Sequence, residues 1–197
     1  MPPTLKSLFL KIQQNYRLLF LWIFLFNLGF TLNDLRNDPK LTPEKFAKYF
    51  ADFEFEFHSE VQDPATFISR KAGDCDDFAI LADLILREKG YHTRLIAVRM
   101  PGLTHVVCYV EETKSYLDFN NRIYLKRTVS CGNSIQEIAD KVAKSLGARW
   151  TSASEFTYKN GIKQMVATVS QTERYITKQT TSSPPQKVES RKIIIDF

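Results

Sequence analysis

Three residues in this chain have the types and the order that thiol acyl-transfer chemistry needs. Cys75 stands in Gly73-Asp74-Cys75-Asp76-Asp77-Phe78-Ala79, His105 in Thr104-His105-Val106-Val107, and Asp118 in Tyr116-Leu117-Asp118-Phe119-Asn120. A thiol in the first turn of a helix is a nucleophile in waiting, because the helix dipole and a nearby imidazolium both favour the thiolate. A histidine then serves as base, and a carboxylate on its other nitrogen fixes the tautomer. Singly, such residues are ordinary: a core cysteine, a satisfied strand histidine, a turn aspartate. Their conjunction, each in the required element and order, is what points to chemistry.

One feature opposes it. Asp74, Asp76 and Asp77 put negative charge beside the sulfur, which disfavours a thiolate. A bound divalent cation, or capping and surface roles for these acids, resolves the conflict. His58 ends a Phe/Glu run and His92 follows Gly90-Tyr91, so both read as surface residues. Three cysteines are too few for a disulfide framework, and none has zinc-ligand spacing. Cys108 alternates away from His105 and reads as a small core residue, which leaves Cys108 and Cys131 to pair or to stay reduced.

The elements that must position the three residues are legible. Asp74 caps a helix that carries Asp76 and Asp77 in its first turn and closes at Lys89-Gly90. Phe78, Ile80, Leu81, Leu84, Ile85 and Leu86 make that helix apolar around most of its circumference, so it is expected to be central and buried. Strands are expected at about 92–100, 104–111, 115–119 and 122–126. Folding the second onto the third about residues 111–113 brings His105 and Asp118 within about one rung. Upstream, Thr42-Pro43 starts a helix with an aromatic face of Phe46, Tyr49, Phe50, Phe53 and Phe57, and Asp63-Pro64 starts a short one ending at Gly73. Downstream come an amphipathic helix at 135–146 and a hairpin, 156–159 and 162–169, around Asn160-Gly161. The fold class is therefore α+β.

Charge and hydropathy divide the chain. Of its net charge of +5, three positive charges fall in residues 1–32 and two in 172–197, so the body is neutral. That excludes a nucleic-acid binder, whose basic residues would sit on the folded body. Lys6, Lys11 and Arg17 precede the apolar run 18–26, the layout of a signal peptide or membrane anchor. As a helix, residues 18–32 reach roughly 22 Å, short of a bilayer core of about 30 Å. The expected organisation is a signal peptide or anchor at 1–33, a catalytic domain at 34–170 and a flexible polar tail at 171–197. The domain then lies outside the cytoplasm, periplasmic or membrane-anchored, with the membrane met through the N-terminal segment.

Gly-Asp-Cys75-Asp-Asp-Phe-Ala, the helix ending in Gly90-Tyr-His-Thr-Arg94, His105 and the Leu117-Asp118 strand resemble the transglutaminase-like superfamily over residues 63–121. Within it, Asp-Cys-Asp-Asp is most similar to the bacterial transglutaminase-like cysteine proteinases. The resemblance implies a papain-like fold with Cys75 on a buried helix and His105 and Asp118 on an antiparallel sheet, acting as nucleophile, base and orienter. It implies a protein or peptide substrate and no obligatory cofactor. Some members bind calcium through acids flanking the cysteine, here Asp74 and Asp76. Val106-Val107 follow the histidine where the superfamily often has an aromatic residue. For the oxyanion, the segment before the cysteine offers Gln62, beside the backbone N–H of Cys75 itself. The expected activity is a cysteine hydrolase working through a thioester. A protein-glutamine transglutaminase, with an amine in place of water, and a non-catalytic binding module are the alternatives.

Overall fold

The computed structural model describes residues 29–121 and 128–171. The apolar run 18–26, the expected strand at 122–126 and the polar tail from 172 lie outside the described residues. In chain order the elements are α1 (Leu32–Asn37), α2 (Pro43–Tyr49), β1 (Glu54–Phe55), α3 (Pro64–Arg70), β2 (Ala72–Gly73) and α4 (Cys75–Glu88). There follow β3 (Thr93–Met100), β4 (Leu103–Val110), β5 (Ser115–Leu117), β6 (Val129–Ser130), α5 (Ile135–Ser145), β7 (Ser152–Lys159) and β8 (Ile162–Ser170).

Six of these strands form an antiparallel sheet in the order β6-β5-β4-β3-β7-β8, and β1 and β2 make a separate parallel pair. Both faces of the sheet are covered, and strand alternation sorts the side chains between them. Leu95, Val106, Cys108 and Val110 face a core shared with α1 to α4. Ile96, Val98, Val107 and Tyr109 face α5, whose Ile138, Ala139 and Val142 close the other side. The α4 helix runs through the first core with Phe78, Ala79, Leu81, Ala82, Ile85 and Leu86 buried, as its apolar circumference requires.

Several expectations change in detail. The aromatic stripe is core only as far as Phe53, because α2 stops at Tyr49 and the chain then turns to pair β1 with β2. Phe55 and Phe57 are instead 63% and 76% exposed. Residues 30–37, which straddle the expected boundary between residues 33 and 34, join the folded body. Thr31 caps α1 with Asp34 as its reciprocal partner, Leu35 is fully buried, and the Phe30 ring packs on Tyr49, Phe50 and Phe53. The last hairpin begins earlier than its apolar pattern, at Ser152. Its turn residues Asn160 (φ 52°) and Gly161 (φ 78°) take the left-handed conformations that a tight two-residue loop demands. No helix among the described residues is long and apolar enough to cross a membrane.

Candidate active site

Cys75 is the first residue of α4 and is half-buried. Its position follows from the cap before it. Asp74 Oδ1 accepts the N–H groups of Asp76 (3.2 Å) and Asp77 (3.5 Å), and Asp77 Oδ2 accepts the Asp74 N–H (3.1 Å). This reciprocal capping satisfies the second and third orphan amides of the helix and leaves that of Cys75 outside the Asp74 cap.

Gly73 makes the arrangement possible. A Cβ there would lie 2.6 Å from Asp77 Oδ2 and from two ring carbons of Phe67. Gly73→Ala is therefore expected to cost about 1–3 kcal/mol, the usual range for overpacking, and to slow alkylation of Cys75 as Asp77 is pushed off the cap. Urea denaturation and thiol-labelling rates read the two effects.

His105 is buried on β4, and its Nε2 lies 3.0 Å from Asp118 Oδ1. The β4–β5 register sets Leu117 opposite Cys108, so Asp118, just past the end of β5, comes diagonal to His105. Asp118 Oδ1 also accepts the Asn120 N–H (2.8 Å), and Oδ2 accepts the Asn121 side-chain amide (2.7 Å). With Nε2 engaged, Nδ1 is the ring nitrogen left for the Cys75 sulfur. Burial opposes a charged ring, but the Asp118 carboxylate and the neighbouring Cys75 sulfur outweigh it and raise the imidazole to about 10. Burial also works against the Asp118 carboxylate, and His105 with the two asparagine donors more than reverses this, holding it below the usual carboxylate range.

The three acids beside the sulfur separate into different roles. Asp77 faces away from the thiol: Oδ1 accepts the Gln62 N–H (2.6 Å) and Oδ2 the Gln62 side-chain amide (2.8 Å). Gln62, which also donates to the Ala72 carbonyl (3.1 Å), is thus a staple on the far side of the helix start and no oxyanion donor. Asp76 Oδ2 is held by Lys163 Nζ at 2.8 Å. Asp74 is buried, and that burial, with Asp76 and Asp77 nearby, pushes its carboxyl up to about 6. Ligand oxygens of the three acids lie within 4.8 Å of one another, and Asp74 and Asp76 line the same cleft as Cys75. Hard carboxylate oxygens this close together are a donor set whose chemistry fits calcium.

The cleft has a volume of about 520 Å³, and its walls include Phe55, Phe57 and Leu103, all exposed. His58, read from sequence as a surface residue, also lines it. The His58 N–H donates to Asp74 Oδ2 at 3.1 Å, and its ring Nε2 is buried without a hydrogen-bond partner. Nothing local in the sequence signals this, because β1 and β2 must pair before His58 can reach the helix start. His92 is on the surface as expected, its Nδ1 2.6 Å from Glu112. All three cysteines are free, and Cys108 is buried in the core as read.

The model of the transglutaminase-like domain family matches residues 35–141. Among solved structures, calcium-bound LapG of Legionella pneumophila is 16% identical with a TM-score of 0.42, covering 68% of this chain and 73% of that one. EGTA-treated LapG is likewise 16% identical, at a TM-score of 0.41 over 68% and 76%. A candidate cysteine protease of Cytophaga hutchinsonii is 17% identical at 0.36, over 70% and 50%. No curated protein compared with the chain matches it.

Proposed function

Because the chain belongs to the transglutaminase-like domain family, we propose that it is a cysteine hydrolase acting on peptide or isopeptide bonds through a thioester. The observation that carries this reading is the buried His105–Asp118 hydrogen bond of 3.0 Å, with the ring raised to about 10 beside Cys75. In it the Cys75 sulfur attacks the carbonyl carbon. The His105 imidazolium gives its Nδ1 proton to the leaving amine as the C–N bond breaks. Neutral His105 then takes a proton from water, whose oxygen attacks the thioester and releases Cys75. Asp118 holds the ring throughout and gains no proton. The backbone N–H of Cys75, at the positive end of α4, is the oxyanion donor.

The substrate is a protein or peptide, and Phe55, Phe57 and Leu103 favour a large apolar side chain beside the bond cut. Asp74 and Asp76 would hold calcium, which when bound supplies positive charge against the acids flanking the thiol. The basic and apolar residues of the N-terminal segment support export, by signal peptide or anchor, with the domain outside the cytoplasm.

Iodoacetamide alkylation between pH 4 and 10, read cysteine by cysteine by peptide mass spectrometry, tests the centre. Cys75 is expected to react fast at pH 6 and to slow at least about tenfold in His105→Ala. Cys108 and Cys131 serve as slow controls, since burial pushes both thiols up, with Glu137 adding to the effect on Cys131. Equal rates at Cys75 and Cys131, indifferent to His105, would return the domain to a binding role. Incorporation of a labelled primary amine into glutamine peptides would identify a transglutaminase instead.

A further inference from the structure

Among the described residues that line the cleft, Lys163 is the one lysine or arginine. It lies on β8, 87 residues from Asp76 in sequence, yet its Nζ stands 2.8 Å from Asp76 Oδ2. The β7–β8 hairpin delivers it: Lys163 pairs with Tyr158 two residues beyond the Asn160-Gly161 turn, and its ammonium lies 5.8 Å from the centre of the Phe156 ring. The pairing answers the charge conflict at the thiol. Of three acids converging at the start of α4, Asp77 is turned onto Gln62, while Asp74 and Asp76 remain on the side of Cys75.

We propose that Lys163 is a tethered counter-ion that takes the place of a divalent cation at Asp76, so that lysine and calcium are alternative partners of this carboxylate. The inference rests on the reading of Asp74 and Asp76 as the acids that would hold the metal. An ammonium and a divalent ion in contact with one carboxylate repel each other, so either must weaken the other. The lysine side chain is 45% exposed on a flexible stem, and it can withdraw into water when metal arrives. With lysine in place, Asp76 is compensated and the thiol is relieved of one neighbouring charge without any metal. With metal in place, the hairpin loses this ion pair to the start of α4. Calcium thus acts as a competitor for a site the chain already fills, and the thiol keeps its reactivity in a chelator.

Calorimetric titration of the full chain with calcium chloride, wild type against Lys163→Met, tests the exchange. The variant is expected to bind calcium at least about tenfold more tightly, a usual size for coupled sites. Adding Asp76→Asn should erase the difference. Lys163→Gln serves as the second variant, and far-ultraviolet circular dichroism checks that both fold. With EGTA, Cys75 labelling should be unchanged in wild type, slowed in Lys163→Met and restored there by calcium. Equal calcium affinities in wild type and variant, or calcium binding to neither, would overturn the proposal. The titration is repeated on Cys75→Ser, where no thiol chemistry is possible. An affinity difference preserved there, together with an unreactive Cys75 in the wild type, would sink the hydrolase reading and leave the exchange standing.

Discussion

Asp118→Ala is expected to destabilise the protein by about 3–5 kcal/mol, the range for removing one partner of a buried ion pair. It should also lower hydrolytic turnover by about three to four orders of magnitude, as loss of an orienting carboxylate does. Three donors lose their acceptor at once: His105 Nε2, the Asn120 N–H and the Asn121 amide. The imidazole, without its carboxylate, keeps only the Cys75 sulfur against burial, which drives its protonation down. The pH dependence has a definite sign. The His105 value is raised from 6.5 to about 10, so its stabilising effect is complete below 6.5 and is lost as pH rises towards 10. The Asp118 value is lowered from 3.8, so its effect is present above 3.8 and is lost as pH falls below that. The gap in urea stability between wild type and Asp118→Ala should therefore be widest between pH 4 and 6.5 and should narrow towards pH 10. A gap that does not vary with pH would show that packing, and not charge, sets the effect. Asp118→Asn, which keeps the shape, separates the two: it should retain more stability than alanine while turnover stays low.

Phe50→Ala is expected to have the second largest effect, about 3–5 kcal/mol, as for other large aromatic-to-alanine changes in cores. Phe50 is fully buried, with ring centroids of Phe30, Phe46, Phe53, Phe67 and Phe78 at 4.7–5.6 Å. These rings come from the segment before α1, from α2 and the turn after it, from α3 and from α4, so one residue joins the helical layer beneath the site. For a chain of this size the midpoint of thermal unfolding should fall by roughly 6–20 °C. Phe78 lies three residues beyond Cys75, so Cys75 alkylation should become steeply temperature-dependent while remaining near wild type in the cold. Phe50→Leu, which keeps more volume, should recover a large part of the loss. Circular dichroism melting with parallel labelling at two temperatures measures both. A loss of less than about 1 kcal/mol would mean that the ring cluster is less tightly packed than its centroid distances imply.

Much of the site was legible because capping and strand alternation are local. Asp74 before an apolar run, with acids in the next turn and Lys89-Gly90 at the far end, specifies α4 from neighbours a few residues apart. Alternation placed His105 and Cys108 on opposite sides of one strand, and a short reversal between β4 and β5 is enough to bring Asp118 to the ring. The lengths of α2 and of the last hairpin were less legible. An aromatic stripe at three- and four-residue steps persists through Phe57 whether or not the backbone stays helical, and only the pairing of β1 with β2 ends the helix.

The residues that settle the charge around the thiol could not be read in this way. From sequence, Asp74, Asp76 and Asp77 are three like charges beside a cysteine. In the fold one caps the helix and holds the His58 amide, one meets Lys163 from β8, and one binds Gln62. The thiol, the histidine, the carboxylate and the helix that presents the first were determined by the sequence itself, since propensity, capping and alternation act between near neighbours. Which acids face the cleft, and which cation answers one of them, was decided by tertiary structure alone. Those partners lie 15 to 87 residues apart, and only sheet order and hairpin register bring them into contact.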